Sequence, residues 1–75
     1  MSNTLKMNLT GRNVVLLQSA FDEELTEAER TVKVYGGFGA EEQKICLSLM
    51  GGALYVEFPN GATGTFRGMD VEKLA

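Results

Sequence analysis

The sequence predicts a small all-β domain, either a five- to six-stranded antiparallel barrel or a strongly curved sheet, with at most one short helix. Short segments alternate between apolar and polar residues with the period of two that is typical of strands burying one face. Turn signals rich in Gly, Asn and Pro separate the later segments. The chain has 75 residues, which is enough for one core. We therefore expect a disordered N-terminus over residues 1–4 and a single β-barrel domain over residues 5–75.

Three segments in the first half of the chain alternate in this way and are predicted to be strands: 5–10, 13–18 and 31–35. In the last of them, Val32 and Val34 would share one face. In residues 13–18 the pattern leaves open whether the even-numbered or the odd-numbered apolar residues face the core.

Residues 19–30 are predicted to form a helical turn or two, with a long irregular loop as the alternative. Ser19 and Asp22 have the spacing of a capping box. Three apolar residues would share one helical face: Phe21, Leu25 and Ala28. Asp and Thr residues in the segment weaken a longer helix.

Residues 45–58 predict a β-hairpin whose strands are joined by Gly51-Gly52. A two-residue glycine connection suits the mirror-image turns, because these turns need positive φ and match the twist of the flanking strands. In this register, three pairs of large apolar side chains share one face: Ile45 with Phe58, Leu47 with Val56, and Leu49 with Leu54.

The turn at Pro59-Asn60-Gly61 is predicted to be a three-residue loop. A two-residue loop would place Phe66 on the outer face, whereas a three-residue loop pairs Phe66 with Leu54 and adds it to the core. Pro59 presets φ at the first loop position, and Gly61 permits the left-handed conformation. The three-residue loop is therefore the prediction.

The second half of the chain is thus predicted to be a three-stranded meander over residues 45–67, closed by a single turn or short strand over residues 69–75. The stretch Tyr55-Val56-Glu57-Phe58-Pro59-Asn60-Gly61 followed by Met69-Asp70-Val71-Glu72-Lys73-Leu74 is similar to the end of small barrels of the Src-homology and Tudor kind. The resemblance implies their fold. Peptide-binding Src-homology barrels present tryptophan and aromatic clusters, and this chain has no Trp, so no ligand site is carried over.

The composition argues against catalysis and against metal sites. The chain has no His, and Cys46 is its only cysteine, so Ser-His-Asp and Cys-His arrangements and zinc sites of Cys and His are excluded. The acidic residues of segment 22–29 lack the spacing and the central glycine of a calcium loop. We expect no enzymatic activity, no metal and no cofactor.

Charge and hydropathy restrict the partners. A net charge of −3 disfavours nucleic acid, which is usually bound through a basic surplus. The uninterrupted apolar runs, such as Val14 to Leu17, are too short for a membrane span or a secretory signal. We therefore expect a cytoplasmic protein that does not associate with membranes.

The expected function is a non-catalytic interaction or regulatory module that binds a protein partner through its loops and the outer face of its sheet. The alternative is a nucleic-acid-binding small barrel with tyrosines as stacking surfaces. That alternative would use six residues: Arg12, Lys33, Lys44, Arg67, Tyr35 and Tyr55.

The candidate binding residues surround a glycine-rich segment: Tyr35, Gly36, Gly37, Phe38, Gly39 and Tyr55. In one interpretation the glycines form a binding loop from which Phe38 anchors a partner. In the other, Phe38 folds back to cap the barrel while the glycines allow a sharp bend. Tyr55, Met50 and Ala53 would also lie on a weakly charged outer face, so a homodimer is a further expectation.

Overall fold

The computed structural model describes residues 6–37, 44–46 and 52–74, and it consists mostly of strands. The strands in these ranges are β1 Lys6–Asn8, β2 Asn13–Leu16, β3 Thr31–Gly37, β4 Lys44–Cys46, β5 Ala53–Glu57, β6 Thr63–Arg67 and β7 Val71–Leu74. Short 3-10 helices cover Gln18–Ala20, Ala28–Arg30 and Gly68–Asp70. The described residues contain no helix that is long and apolar enough to cross a membrane. The predicted disorder of residues 1–4 lies outside the described ranges.

Five of the strands form an antiparallel sheet in the order β6-β5-β3-β2-β7, and β1 pairs with β4 in a separate ribbon. The edge strands β6 and β7 are joined by the single 3-10 helix Gly68–Asp70. Four residues of extended chain reach at most about 14 Å. The outer strands of a flat five-stranded sheet lie about 19 Å apart, so this sheet must curve. The all-β class is confirmed, whereas β6 and β7 do not pair in the described residues and closure into a barrel stays a prediction.

Two hydrogen bonds to Asp70 hold the corner between β6 and β7. The Asp70 carboxylate accepts a hydrogen bond from the Arg67 N–H at 3.2 Å, and the Asp70 carbonyl accepts one from the Leu17 N–H at 2.6 Å. These bonds connect the end of β6 to the end of β2. The predicted closing element therefore consists of a turn followed by a short strand, which adds to the sheet beside β2.

The three-residue loop between β5 and β6 is confirmed. Leu54 lies opposite Phe66, and the Phe58 N–H donates to the Ala62 carbonyl at 2.7 Å, which leaves residues 59–61 as the loop. Gly61 has a φ of +90°, the left-handed value that the turn requires. Asn60 Oδ1 also accepts a hydrogen bond from the Ala62 N–H at 2.9 Å. Phe66 is half-buried.

The predicted hairpin over residues 45–58 is wrong. β5 pairs with β3 and β6, and β4 pairs with β1, where Ile45 lies opposite Met7. β3 competes for the same edge of β5, and it places Val34 opposite Val56. The meander over residues 45–67 is therefore correct only from β5 onward. Leu47 and Leu49 lie outside the described residues.

The core lies on one face of the curved sheet. Its buried residues come from every strand of the sheet except β6 and β7, and from the segment after β1: Leu9, Val14, Leu16, Val32, Val34, Leu54 and Val56. The even-numbered residues of β2 therefore face this cluster. Val15 is buried as well, on the opposite face, where its cross-strand neighbours are Thr31 and Lys73. The sequence pattern was ambiguous because β2 is covered on both faces.

Three half-buried phenylalanines extend the core towards the loop after β2. Phe21 contacts Phe66 with ring centroids 5.7 Å apart, and it meets the Phe58 ring edge to face at 6.1 Å. Phe58 and Phe66 are 5.9 Å apart. Such aromatic pairs stabilise beyond the area that they bury. They anchor one end of the irregular loop on the β5–β6 hairpin.

The segment between β2 and β3 is an irregular loop with one 3-10 turn at each end. The N-cap of the first turn is Leu17, so the predicted capping pair of Ser19 and Asp22 is wrong. A different pair forms a reciprocal cap further on. The Thr26 N–H donates to Glu29 Oε1 at 2.8 Å, and the Glu29 N–H donates to Thr26 Oγ1 at 3.2 Å.

Two ion pairs connect this loop to β7. Arg30 Nη1 lies 2.6 Å from Glu72 Oε1, and Lys73 Nζ lies 2.5 Å from Glu27 Oε2. The hydrogen bond from Lys73, together with its charge, lowers the pKa of Glu27, and the same bond raises the pKa of Lys73. Because Glu27 and Lys73 are both well exposed, their pair orients the loop more than it stabilises the fold.

Candidate functional site

A bulge in β3 places Tyr35 beside Tyr55 on the outer face of the sheet. Val34 lies opposite Val56 and Gly36 lies opposite Tyr55, so Tyr35 is the extra residue between them. The two tyrosine rings stack with their centroids 6.2 Å apart and their planes at 28°. Tyr35 is 52% exposed, and Tyr55 is half-buried. We call Tyr35 and Tyr55 the tyrosine pair.

Gly36 makes room for this pair. Gly36 is buried, and a Cβ atom on it would lie 3.3 Å from Cδ2 of Tyr55. Its φ is not in the left-handed region, so the glycine is needed for space and not for backbone conformation. A side chain at this position would press on the Tyr55 ring.

The structure places two of the other predicted binding residues, Gly36 and Gly37, in a strand and not in a loop. Gly36 and Gly37 belong to β3 and lie opposite Tyr55 and Leu54, so the expected flexible loop does not begin at residue 36. Phe38 and Gly39 lie outside the described residues, and both interpretations of Phe38 stay predictions. Both tyrosines were predicted to be binding residues, but their contact was not predicted, because the bulge that brings them together has no sequence signal beyond the glycine after Tyr35.

Polar and charged side chains surround the tyrosine pair. Thr65 lies opposite Tyr55 on β6, and Arg67 lies opposite Ala53. On the other side, Lys33 lies opposite Glu57. These residues share the outer face because they alternate with the buried residues of their strands. The face therefore combines one aromatic centre with hydrogen-bonding groups of both charges.

Two open depressions flank the β5–β6 turn, and neither is lined by Tyr35 or Tyr55. One, of about 290 Å³, lies between Lys33, Glu57 and Pro59. The other, of about 300 Å³, lies between Leu25 and Phe58 with Glu23 and Glu29 at its rim. In the described residues, no group of three or more Cys, Asp or Glu side chains could hold a metal ion.

Replacing Gly36 by alanine is expected to disturb the tyrosine pair while the fold is retained. The new methyl group would displace the Tyr55 ring by a few tenths of an ångström. The crowding penalty is partly offset by reduced entropy of the unfolded chain, so we expect the free energy of unfolding to change by no more than about 1 kcal/mol.

Near-ultraviolet circular dichroism can measure this displacement directly. The chain has two tyrosines and no tryptophan, so the tyrosine band reports on this pair alone. The band should change in Gly36→Ala and stay unchanged in the control Ser19→Ala, which alters an exposed residue of the loop. An unchanged band in Gly36→Ala would contradict the assigned contact with Tyr55.

Comparison with known protein families, with curated proteins and with solved structures finds no match to this chain.

Proposed function

We propose that this protein is a non-catalytic interaction module and that the tyrosine pair on its outer face binds a protein partner. The observation that carries the proposal is the exposed ring of Tyr35, held in place by stacking on Tyr55. Tyrosines are enriched among the residues that dominate binding energy at protein interfaces. They supply a large contact area with few rotatable bonds, and stacking further limits the freedom that binding must remove.

The surroundings of the tyrosine pair resemble the rim of an interface. Lys33, Glu57 and Arg67 can form hydrogen bonds and ion pairs with a partner around the aromatic centre. Arginine is also frequent among interface residues of high energetic importance. We infer that a partner places an apolar group on the tyrosine pair and polar groups towards this rim.

The proposed architecture is a small barrel of the Src-homology or Tudor kind that stays open between its edge strands β6 and β7. Three observations support it: the strand order β6-β5-β3-β2-β7, the curvature that the short β6–β7 connection imposes, and the 3-10 turn at that connection.

Truncating Tyr35 to alanine is expected to weaken partner binding by about 30-fold, which corresponds to a loss of about 2 kcal/mol. Because Tyr35 is about half exposed, the thermal midpoint should change little. The partner would first be isolated by affinity capture with the wild-type chain and identified by mass spectrometry. Its affinity for wild type, Tyr35→Ala and Ser19→Ala would then be measured by calorimetry.

The control variant separates binding from general effects. Ser19→Ala removes a hydroxyl group from an exposed residue that lies outside the tyrosine pair and the strands around it. This variant should bind the partner as the wild type does. If Tyr35→Ala binds the captured partner with unchanged affinity, the tyrosine pair is not the binding site. Equal losses in both variants would also contradict the proposal.

A nucleic-acid ligand is the second candidate, because Lys33 and Arg67 share the outer face with the tyrosine pair. Stacked bases and neutralised phosphates would use these groups. Titration with single-stranded and duplex oligonucleotides over a series of salt concentrations tests this candidate. An affinity that falls steeply with salt would favour nucleic acid over protein, whereas the absence of binding at low salt would eliminate it.

A further inference from the structure

The outer edge of β6 presents backbone groups that no described strand pairs. Two bonds determine which groups these are: the Phe58 N–H donates to the Ala62 carbonyl, and the Gly68 N–H donates to the Gly52 carbonyl at 2.9 Å. Hydrogen-bonded pairs alternate along an antiparallel ladder. The even-numbered residues of β6 therefore bond to β5, and the backbone groups of Thr63 and Thr65 point away from it.

The strand at the opposite edge of the sheet, β7, carries charged side chains that disfavour pairing with another chain, whereas β6 carries only one. On β7, the side chains of Glu72 and Lys73 are engaged in ion pairs with Arg30 and Glu27. Charged side chains are a common means by which proteins prevent edge strands from pairing with other chains. β6 has neither a proline nor an acidic residue, and its single charge is at its end, on Arg67.

We propose that β6 pairs antiparallel with β6 of a second copy of this chain, about a twofold axis at Thr65, to form a homodimer with a continuous sheet. In this register Thr65 lies opposite Thr65 of the second copy, and Thr63 lies opposite Arg67 of the second copy. Each Thr65 N–H donates to the Thr65 carbonyl of the other copy. Each Thr63 N–H donates to the Arg67 carbonyl, while the Arg67 N–H keeps its bond to Asp70.

The chemistry of β6 is self-complementary in this register. The arginines lie at opposite ends of the paired strands and each faces a neutral threonine, so no like charges meet. Cross-strand threonine pairs are favourable. On the inner face, Phe66 of one copy lies opposite Gly64 of the other, so two large side chains do not meet across the paired strands. The acidic residues that give the chain its net charge of −3 are absent from β6.

The pairing surface is small, so the dimer should dissociate on dilution. A five-residue strand edge buries less area than a stable protein interface. Sedimentation velocity of the wild type should therefore show a shift from monomer to dimer between about 10 µM and about 1 mM, the range in which weak interfaces associate.

Charge substitutions at Thr65 test both the surface and the register. Thr65→Lys or Thr65→Glu places two like charges directly opposite each other, so each variant alone should dimerise at least tenfold more weakly than the wild type. An equimolar mixture of the two variants should regain dimerisation, because lysine then faces glutamate. Far-ultraviolet circular dichroism checks that each variant is folded.

Ser19→Lys is the matched control, since it adds the same charge to an exposed residue outside β6 and should dimerise as the wild type does. Wild type that stays monomeric up to about 1 mM would overturn the proposal, as would undiminished association of Thr65→Lys. If both variants are monomeric and their mixture is monomeric too, the twofold axis at Thr65 is wrong. These outcomes do not depend on the tyrosine pair, so they leave the proposed partner site untouched.

Discussion

Leu54→Ala is expected to lower the free energy of unfolding by about 2–5 kcal/mol. Leu54 has no exposed surface and lies in β5, the strand that joins β3 to β6. Its neighbours across the sheet are Gly37 and Phe66, and a glycine cannot fill the cavity that the missing side chain leaves. A domain of this length has a net stability of about 4–11 kcal/mol, so the variant should be close to unfolding at room temperature.

Leu25→Ala provides a matched control for Leu54→Ala. It removes the same atoms from a half-buried position in the loop between β2 and β3. Because less apolar surface is lost there, the destabilisation should be about 1 kcal/mol or less. Urea denaturation followed by circular dichroism measures both variants. Similar losses in the two would mean that Leu54 is not central to the core.

The parts of the fold that the sequence predicted correctly are those that neighbouring residues determine. The β5–β6 hairpin is an example, since the left-handed Gly61 and the requirement to bury Phe66 next to Leu54 select one loop length. In β3, the buried Val32 and Val34 likewise alternate with the exposed Lys33, so three residues are enough to predict which face is buried. In both cases the physical reason acts over a short distance along the chain.

The strand pairings that sequence analysis missed are between distant segments. A glycine pair between two alternating runs favours a local hairpin, but the seven-residue strand β3 occupies that edge of β5 and places Val34 opposite Val56. Loop closure over such distances costs only slightly more than local closure, so packing decides the outcome. The partner of β4 is β1, near the start of the chain, and no local pattern indicates this.

At the candidate site too, the features set by neighbouring residues were predicted and those set by strand pairing were not. The tyrosines were found because exposed aromatic residues near glycines are typical of binding surfaces. Their stacking depends on a one-residue bulge and on the space above Gly36, which are properties of the paired strands. A register shift of one residue in β3 would have left Tyr35 and Tyr55 on separate parts of the surface.

Arg30→Met is expected to lower the free energy of unfolding by about 1–3 kcal/mol, because it leaves a carbonyl group in the sheet without its donor. The Arg30 side chain is only 11% exposed, and its Nη1 donates to the Leu16 carbonyl and to Glu72. The register between β2 and β7 shifts at Leu16, so the guanidinium binds where the ladder is irregular. Methionine keeps most of the side-chain volume, which separates the lost hydrogen bonds from a cavity.

Lys73→Met tests whether any loop-to-β7 ion pair would have the same effect. It removes the exposed pair with Glu27, and we expect little change in stability from it. A double-mutant cycle of Arg30→Met with Glu72→Gln then divides the role of Arg30 between its two acceptors. If the hydrogen bond to the Leu16 carbonyl dominates, Arg30→Met lowers the free energy of unfolding by nearly the same amount in the wild-type and the Glu72→Gln background. This loss of stability also persists at high salt, because salt does not screen a buried hydrogen bond to a neutral carbonyl. A loss that vanishes in the Glu72→Gln background would instead assign the whole effect to the ion pair and remove Arg30 as the support of the β2–β7 irregularity.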